Sequence, residues 1–281
     1  MRRTVLLMAA LTIVAAVLPP SGPASASSGS DPVPFELGGE PCALISVPPG
    51  DTAAPVGVGN CPGVRPGARV ITDLGQCTLN FLFRAPDGQR YMGTAGHCIQ
   101  DSAPVAGDDI GESLWAPGEG PVARNGAGLR IGEFAYAVLA SPKDFALIRL
   151  DPEVEASPEM CHFGPPSGEF EGLSEEITIL EYFGLGIGIG TVLPARSAVA
   201  LGVPDENHVR AAGFALPGDS GSGVMTRGGQ AIGVLVTVGF HSDGISDLTD
   251  VGTIGITRLG PQVERAEEAL GTALALVTVP A

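Results

Sequence analysis

The chain is short of positive charge. Fifteen lysines and arginines face 31 aspartates and glutamates, a formal net charge of −16. A surface this acidic repels nucleic acid phosphates and anionic lipid headgroups, so neither is an expected partner. Signatures of metal and phosphate binding are missing too. No H-E-x-x-H occurs, and His97, His162, His208 and His241 have no ligand-like spacing. No metal or other cofactor is expected. The glycine-rich "GLGIGIGTV" lacks the Lys-Ser/Thr ending of a phosphate loop. Its alternation reads instead as a strand whose one face is crowded by another backbone. The five cysteines include no C-x-x-C, and their odd number leaves at least one thiol unpaired in a monomer. Beyond residue 26 no apolar run is long enough to cross a bilayer.

What is present starts with a leader. Arg2 and Arg3 precede an apolar run from Val5 to Leu18, broken only by Thr12. Pro19, Pro20 and Gly22 end it, and Ala24-Ser25-Ala26 supplies the small residues that a signal peptidase reads. Residues 1–26 are therefore expected to be a signal peptide, which makes the protein secreted and extracellular, with no membrane association after cleavage. Disulfides persist in that compartment. Residues 27–66, rich in Pro, Gly, Ser and Ala, read as an extension or pro-segment. From Arg69 onward come short β-prone runs punctuated by turn chemistry: "RVITDL", "TLNFLFRA", "RYMGTA", "EFAYAVLA" and "DFALIRL". After "FGPPSG" the series resumes with "ITILEYF", "IGTVLPA", "HVRAAGF", "GVMTR" and "AIGVLVTVGF". Many short strands in two groups predict an all-β fold of two antiparallel barrels, 67–164 and 165–272, with a tail over 273–281. Only "GPQVERAEEALG" reads as helix, with Pro261 at its start and Gly271 as its stop.

Three motifs carry chemistry together. "TAGHC" supplies His97, "DFALIRL" supplies Asp144 and "PGDSGSG" supplies Ser220. A serine hydroxyl is a weak nucleophile at neutral pH and needs a base within reach. Imidazole suits that task, and a carboxylate on its far nitrogen fixes the tautomer. Gly218 and Gly221 flank the serine turn and permit the backbone to aim amides inward, so an oxyanion hole from the amides of Gly218 and Ser220 is expected. The order His, Asp, Ser excludes the α/β-hydrolase arrangement: the one later histidine, His241, precedes Asp243, and Ser222 stands where G-x-S-x-G requires glycine.

From about residue 68 to 270 the chain resembles the chymotrypsin-like (trypsin-fold) serine peptidases, closest to the secreted bacterial streptogrisin and α-lytic branch. "GQCTLNFLF", "YMGTAGHC", "HVRAAGFALPGDSG" and "GTIGITRLGPQVERA" carry the likeness. The resemblance implies two six-stranded barrels with the active site between them and a short C-terminal helix. It implies His97 as base, Asp144 as orienting acid and Ser220 as nucleophile, acting on a polypeptide substrate in a monomer. It further implies a Cys77–Cys98 bridge and a buried ion pair for Asp219 with an unnamed partner. Cys42, Cys61 and Cys161 remain with their pairing open.

Departures from that family also stand in the sequence. Relatives continue D-S-G-G-P after the serine, whereas this chain has Ser222-Gly223-Val224. Phe214 replaces a cysteine that usually bridges a wall of the specificity pocket. A pocket bordered by Phe214, Ala215, Leu216, Thr237, Val238 and Gly239 suits an apolar side chain, and "FALP" offers no acid for Lys or Arg. A secreted esterase with the same triad, or a protease-like binding protein of little turnover, are the rival readings.

Overall fold

A computed structural model describes residues 35–37, 40–42, 61, 63–100, 111–140, 143–172, 179–186, 193–205, 207–238 and 252–278. Residues 1–26, expected to be a signal peptide, and most of residues 27–66, expected to be an extension, lie outside them. β1 (Phe35–Leu37) and β2 (Glu40–Cys42) pair only with each other.

The first sheet holds nine strands: β3 (Arg69–Thr72), β4 (Gly75–Thr78), β5 (Leu82–Arg84), β6 (Arg90–Thr94), β7 (Gly111–Leu114), β8 (Val122–Asn125), β9 (Arg130–Ala140), β10 (Lys143–Leu150) and β18 (Ala275–Leu276). β10 lies between β6 and β9 and is covered on both faces, which is why "FALI" is continuously apolar. The second sheet comprises β11 (Gly168–Glu169), β12 (Ile179–Phe183), β13 (Ala195–Asp205), β14 (His208–Ala212), β15 (Gly223–Thr226), β16 (Gln230–Val238) and β17 (Thr253–Arg258). A β16–β17 ladder joins the last strand of the path to the second, so the six strands from β16 to β17 along the path close into a barrel. The first sheet curls without such a closing ladder. All pairs are antiparallel except the two-residue β11–β16 contact.

Leu180, Tyr182, Ala198, Val209, Ala211, Leu235 and Ile254 fill the second barrel. A larger core joins the first sheet to the outer face of β16, through Ala231, Val234 and Val236, and to the helix α1 (Leu259–Leu270). α1 begins two residues before Pro261 and ends at Gly271, which adopts the left-handed conformation at φ 66°. Val263 and Ala266 are buried, as their spacing requires.

β7, β8 and most of β13 have no counterpart among the runs read from sequence. "GESL" and "VARN" are polar, and "ARSAVALGVPD" is rich in alanine and glycine, weak strand formers that tertiary pairing overrides. The glycine alternation also differs from expectation. Gly184, Leu185 and Gly186 lie beyond the end of β12, and what crowds both glycines is the Asp219 carboxylate rather than another backbone. Residues 187–192 lie outside the described set.

Two disulfides bolt the fold. Cys77 joins Cys98, as the resemblance implied. Cys61 joins Cys161, resolving the open pairing and tying a buried residue of the extension to the connection between the sheets. This second bridge spans a separation of 100 residues. Replacing Cys61 and Cys161 by alanine should lower unfolding free energy by about 3–5 kcal/mol, the scale for so long a loop. Urea titration measures the loss, and non-reducing peptide mapping of the native protein should recover the linked 61–161 peptides.

Candidate active site

His97 occupies a 3₁₀ turn, Gly96–Cys98, that follows β6. Both neighbours of the histidine are pinned. Cys98 is bridged to β4, and its carbonyl accepts the Thr72 hydroxyl at 2.7 Å. Gly96 sits against β9 so closely that a Cβ there would meet the Val138 carbonyl oxygen at 2.0 Å. No other residue fits. Asp144, second in β10 and only 8% exposed, faces this turn. Its Oδ1 accepts the His97 backbone amide at 3.0 Å and its Oδ2 lies 2.6 Å from Nδ1. The carboxylate therefore fixes both the backbone and the ring of His97, and leaves Nε2 for other work. Burial lowers the His97 pKa, but the hydrogen bond and the charge of Asp144 outweigh it, so the value is raised above 6.5.

The serine turn is seated against the same region from the other side. Thr78, at the end of β4, donates its amide to the Ser220 carbonyl at 2.8 Å and its hydroxyl to the Gly218 carbonyl at 2.8 Å. Gly221, at φ 91°, approaches so near that a Cβ would lie 3.0 Å from the amide nitrogen of Ala95, two residues before the histidine. The fold thus brings the Ser220 turn, His97 and Asp144 to one place. Among the described residues no hydrogen bond joins the Ser220 hydroxyl to the His97 ring. Such contacts are commonly long in unliganded sites and tighten when substrate binds.

Within this turn the amides divide into two sets. Asp219 donates to the Leu216 carbonyl, Gly221 to that of Leu235 and Ser222 to that of Asp219. Those of Gly218, at φ 97°, and Ser220 have no partner among the described residues. Two unengaged amides in a serine turn are the kind of donors a developing oxyanion would need.

Asp219 has no exposed surface and is held by four donors. Arg196 on β13 contacts it twice, Nη1 to Oδ2 at 2.5 Å and Nη2 to Oδ1 at 2.6 Å. The amides of Gly186 and Leu216 each donate at 2.7 Å. Arg196 further donates to the carbonyls of Gly184 and Phe214, and its guanidinium lies 5.2 Å from the centre of the Tyr182 ring. Burial pushes the Tyr182 hydroxyl up to about 12, so it stays protonated and donates to the Phe214 carbonyl. The wall that lacks a cysteine at 214 is thus held by two hydrogen bonds to its backbone. Sequence reasoning missed Arg196. The one signal available was the need of a buried aspartate for a cation.

The residues expected to border a pocket differ in exposure. Phe214 is 52% exposed, Leu216 is partly buried, and Ala215 is buried in the second barrel's core. Thr237 and Val238 lie on β16, and Gly239 falls outside the described residues. Cys77, His97 and Cys98 cluster in a way that could suggest a metal site. Both sulfurs are spent in the disulfide and offer no thiolate.

No family model and no curated protein sequence matches the chain. Solved structures do. A Cellulomonas bogoriensis chymotrypsin aligns at 18% identity and a TM-score of 0.49, covering 77% of this chain and 99% of its own. A Nocardiopsis protease aligns at 18% and 0.47, covering 75% and 98%. Thermobifida fusca Protease A aligns at 18% identity and a TM-score of 0.50, over 77% of this chain and 100% of its own. The chain shares the fold of Thermobifida fusca Protease A. The described site lies where the first sheet meets the second barrel.

The ion pair gives a direct test. Arg196→Met removes one partner and strands a buried carboxylate, so stability should fall by about 3–5 kcal/mol. Pairing it with Asp219→Asn should recover part of the loss. Urea unfolding of the single and double variants reads both numbers.

Proposed function

We propose that the chain is an exported serine endopeptidase. The observation that carries this reading is the His97–Asp144 pair, hydrogen-bonded at 2.6 Å, beside a serine turn with two unengaged amides. In this mechanism Ser220 Oγ attacks the peptide carbonyl carbon while His97 Nε2 takes its proton. The amides of Gly218 and Ser220 stabilise the oxyanion, and Asp144 stabilises the imidazolium. His97 then protonates the leaving amine, and water releases the acyl group by the reverse steps. The fold is compatible with this chemistry, but a fold alone hosts many activities, so the assignment rests on the site. Two disulfides fit an oxidising compartment. Among the described residues no helix is long and apolar enough to cross a membrane.

A fluorophosphonate probe should label the wild type on Ser220. Ser220→Ala should remove labelling and lower peptide hydrolysis on the order of 10⁶-fold with the fold intact. An unlabelled, folded wild type would overturn the proposal. Comparing matched ester and amide substrates separates a peptidase from an esterase.

The pH profile follows from His97. Its neutral form is the base, so kcat/KM should fall as pH drops through the raised pKa, with the acid limb lying above 6.5. Asp144→Asn removes both raising influences and leaves desolvation, so the limb should move to lower pH. Turnover should fall about 10⁴-fold at the same time, because the ring loses its tautomer control. Initial rates between pH 5 and 9 check both.

A further inference from the structure

The serine at 222, where the resembled family has glycine, has a partner that gives it a task. Ser222 has no exposed surface, and its hydroxyl donates to the Asp219 carbonyl at 2.7 Å. That carbonyl and the Ser220 amide belong to one planar peptide unit. Fixing the oxygen therefore fixes the direction of the N–H on the other side. The Ser222 backbone amide reaches the same oxygen at 3.0 Å, so the Asp219–Ser220 peptide is gripped twice at one end and unengaged at the other.

The preceding peptide is held in the same manner. The Gly218 carbonyl accepts the hydroxyl of Thr78, also without exposed surface, and the Asp219 amide of that unit donates to Leu216. Two buried hydroxyls, one from each sheet's strands or turns, thus clamp two consecutive peptides of the loop. A donor on a carbonyl also polarises its peptide, which strengthens the N–H as a donor to an anion.

We infer that Ser222 and Thr78 are positioning residues for the oxyanion site, holding the peptides on either side of Asp219 so that the Ser220 amide faces the reacting carbonyl. This rests on the serine-hydrolase reading above. Neither hydroxyl touches substrate. Each acts through the backbone, so the loss on removal should be smaller than the 10²–10³-fold that deleting a direct oxyanion donor costs.

The test compares Ser222→Ala, Thr78→Val and Thr78→Ser on a peptide anilide and against a peptide aldehyde, whose adduct with the serine carries the oxyanion. Ser222→Ala and Thr78→Val should each lower kcat and aldehyde affinity about ten-fold, the worth of one hydrogen bond, with KM and product-peptide affinity unchanged. Thr78→Ser keeps the hydroxyl and should restore both. In Ser222→Ala the Asp219 carbonyl keeps its backbone donor, so this variant should fold even where Thr78→Val does not. Unchanged kcat and aldehyde affinity in folded Ser222→Ala would overturn the inference, as would a rise in KM alone. Failure of the underlying reading looks different: the wild type itself would neither label nor hydrolyse. In that event a crystal structure of Ser222→Ala decides. A rotated Asp219–Ser220 peptide supports the positioning role, and an unmoved one rejects it.

Discussion

The active loop depends on a carboxylate that water cannot reach. Asp219 is wholly buried, and ionised carboxylates persist in such places only when their lone pairs are taken up. Here two guanidinium nitrogens and two backbone amides occupy both oxygens. The fork of Arg196 suits that geometry in a way a lysine would not. Because the same guanidinium holds the carbonyls of Gly184 and Phe214, one side chain ties β13, the end of β12 and the loop that carries Ser220. The counter-ion is internal.

The two halves of the site are built to different specifications. His97 stands on a 3₁₀ turn and Asp144 on β10, and the Cys77–Cys98 bridge and the contact of Gly96 with β9 leave the pair little freedom. The serine turn contains two glycines of positive φ, Gly218 and Gly221, and keeps its shape through hydrogen bonds instead. Much of its support comes from β4, part of the first sheet. Gln76 donates to the Leu185 carbonyl at 3.1 Å, and Thr78 grips the turn at two carbonyls. One short strand therefore sets the serine turn against the histidine turn. Preorganisation of this kind matters because displacement of a reacting group by about 1 Å can cost on the order of 10² in rate.

The meeting of the His97 and Ser220 turns was legible because each motif pairs a polar residue with small neighbours. "TAGHC" and "GDSGSG" allow close backbone approach, and the structure uses Gly96 and Gly221 for that purpose. Strands with strong apolar runs, such as "DFALIRL", were legible too, as was the end of α1 at Gly271. Arg196 was not. In "PARSAVAL" nothing distinguishes an arginine that enters the core from one on the surface, since the distinction lies in a partner 23 residues away. Cys61–Cys161 was open for a similar reason: pairing is a matter of distance in space, and spacing in the chain does not encode it. The glycines at 184 and 186 carried the missing information. Their unfilled volume marks where the ion pair lies.

That volume also explains how this chain accommodates a serine at 222. A Cβ on Gly184 would lie 2.4 Å from Asp219 Oδ1, 2.8 Å from Ser222 Oγ and 3.0 Å from Arg196 Nη2. All three polar groups crowd the space that a side chain at 184 would take. Close packing leaves no slack for such atoms elsewhere. Gly184, Arg196, Asp219 and Ser222 are consequently one unit, although they come from three separate segments. An alanine at 184 would have to displace the carboxylate, the hydroxyl or the guanidinium, and each displacement would leave a buried polar atom unpaired. The ion pair and the added hydroxyl therefore constrain the same glycine, and the electrostatics of the loop reach back into the sequence of β12's end.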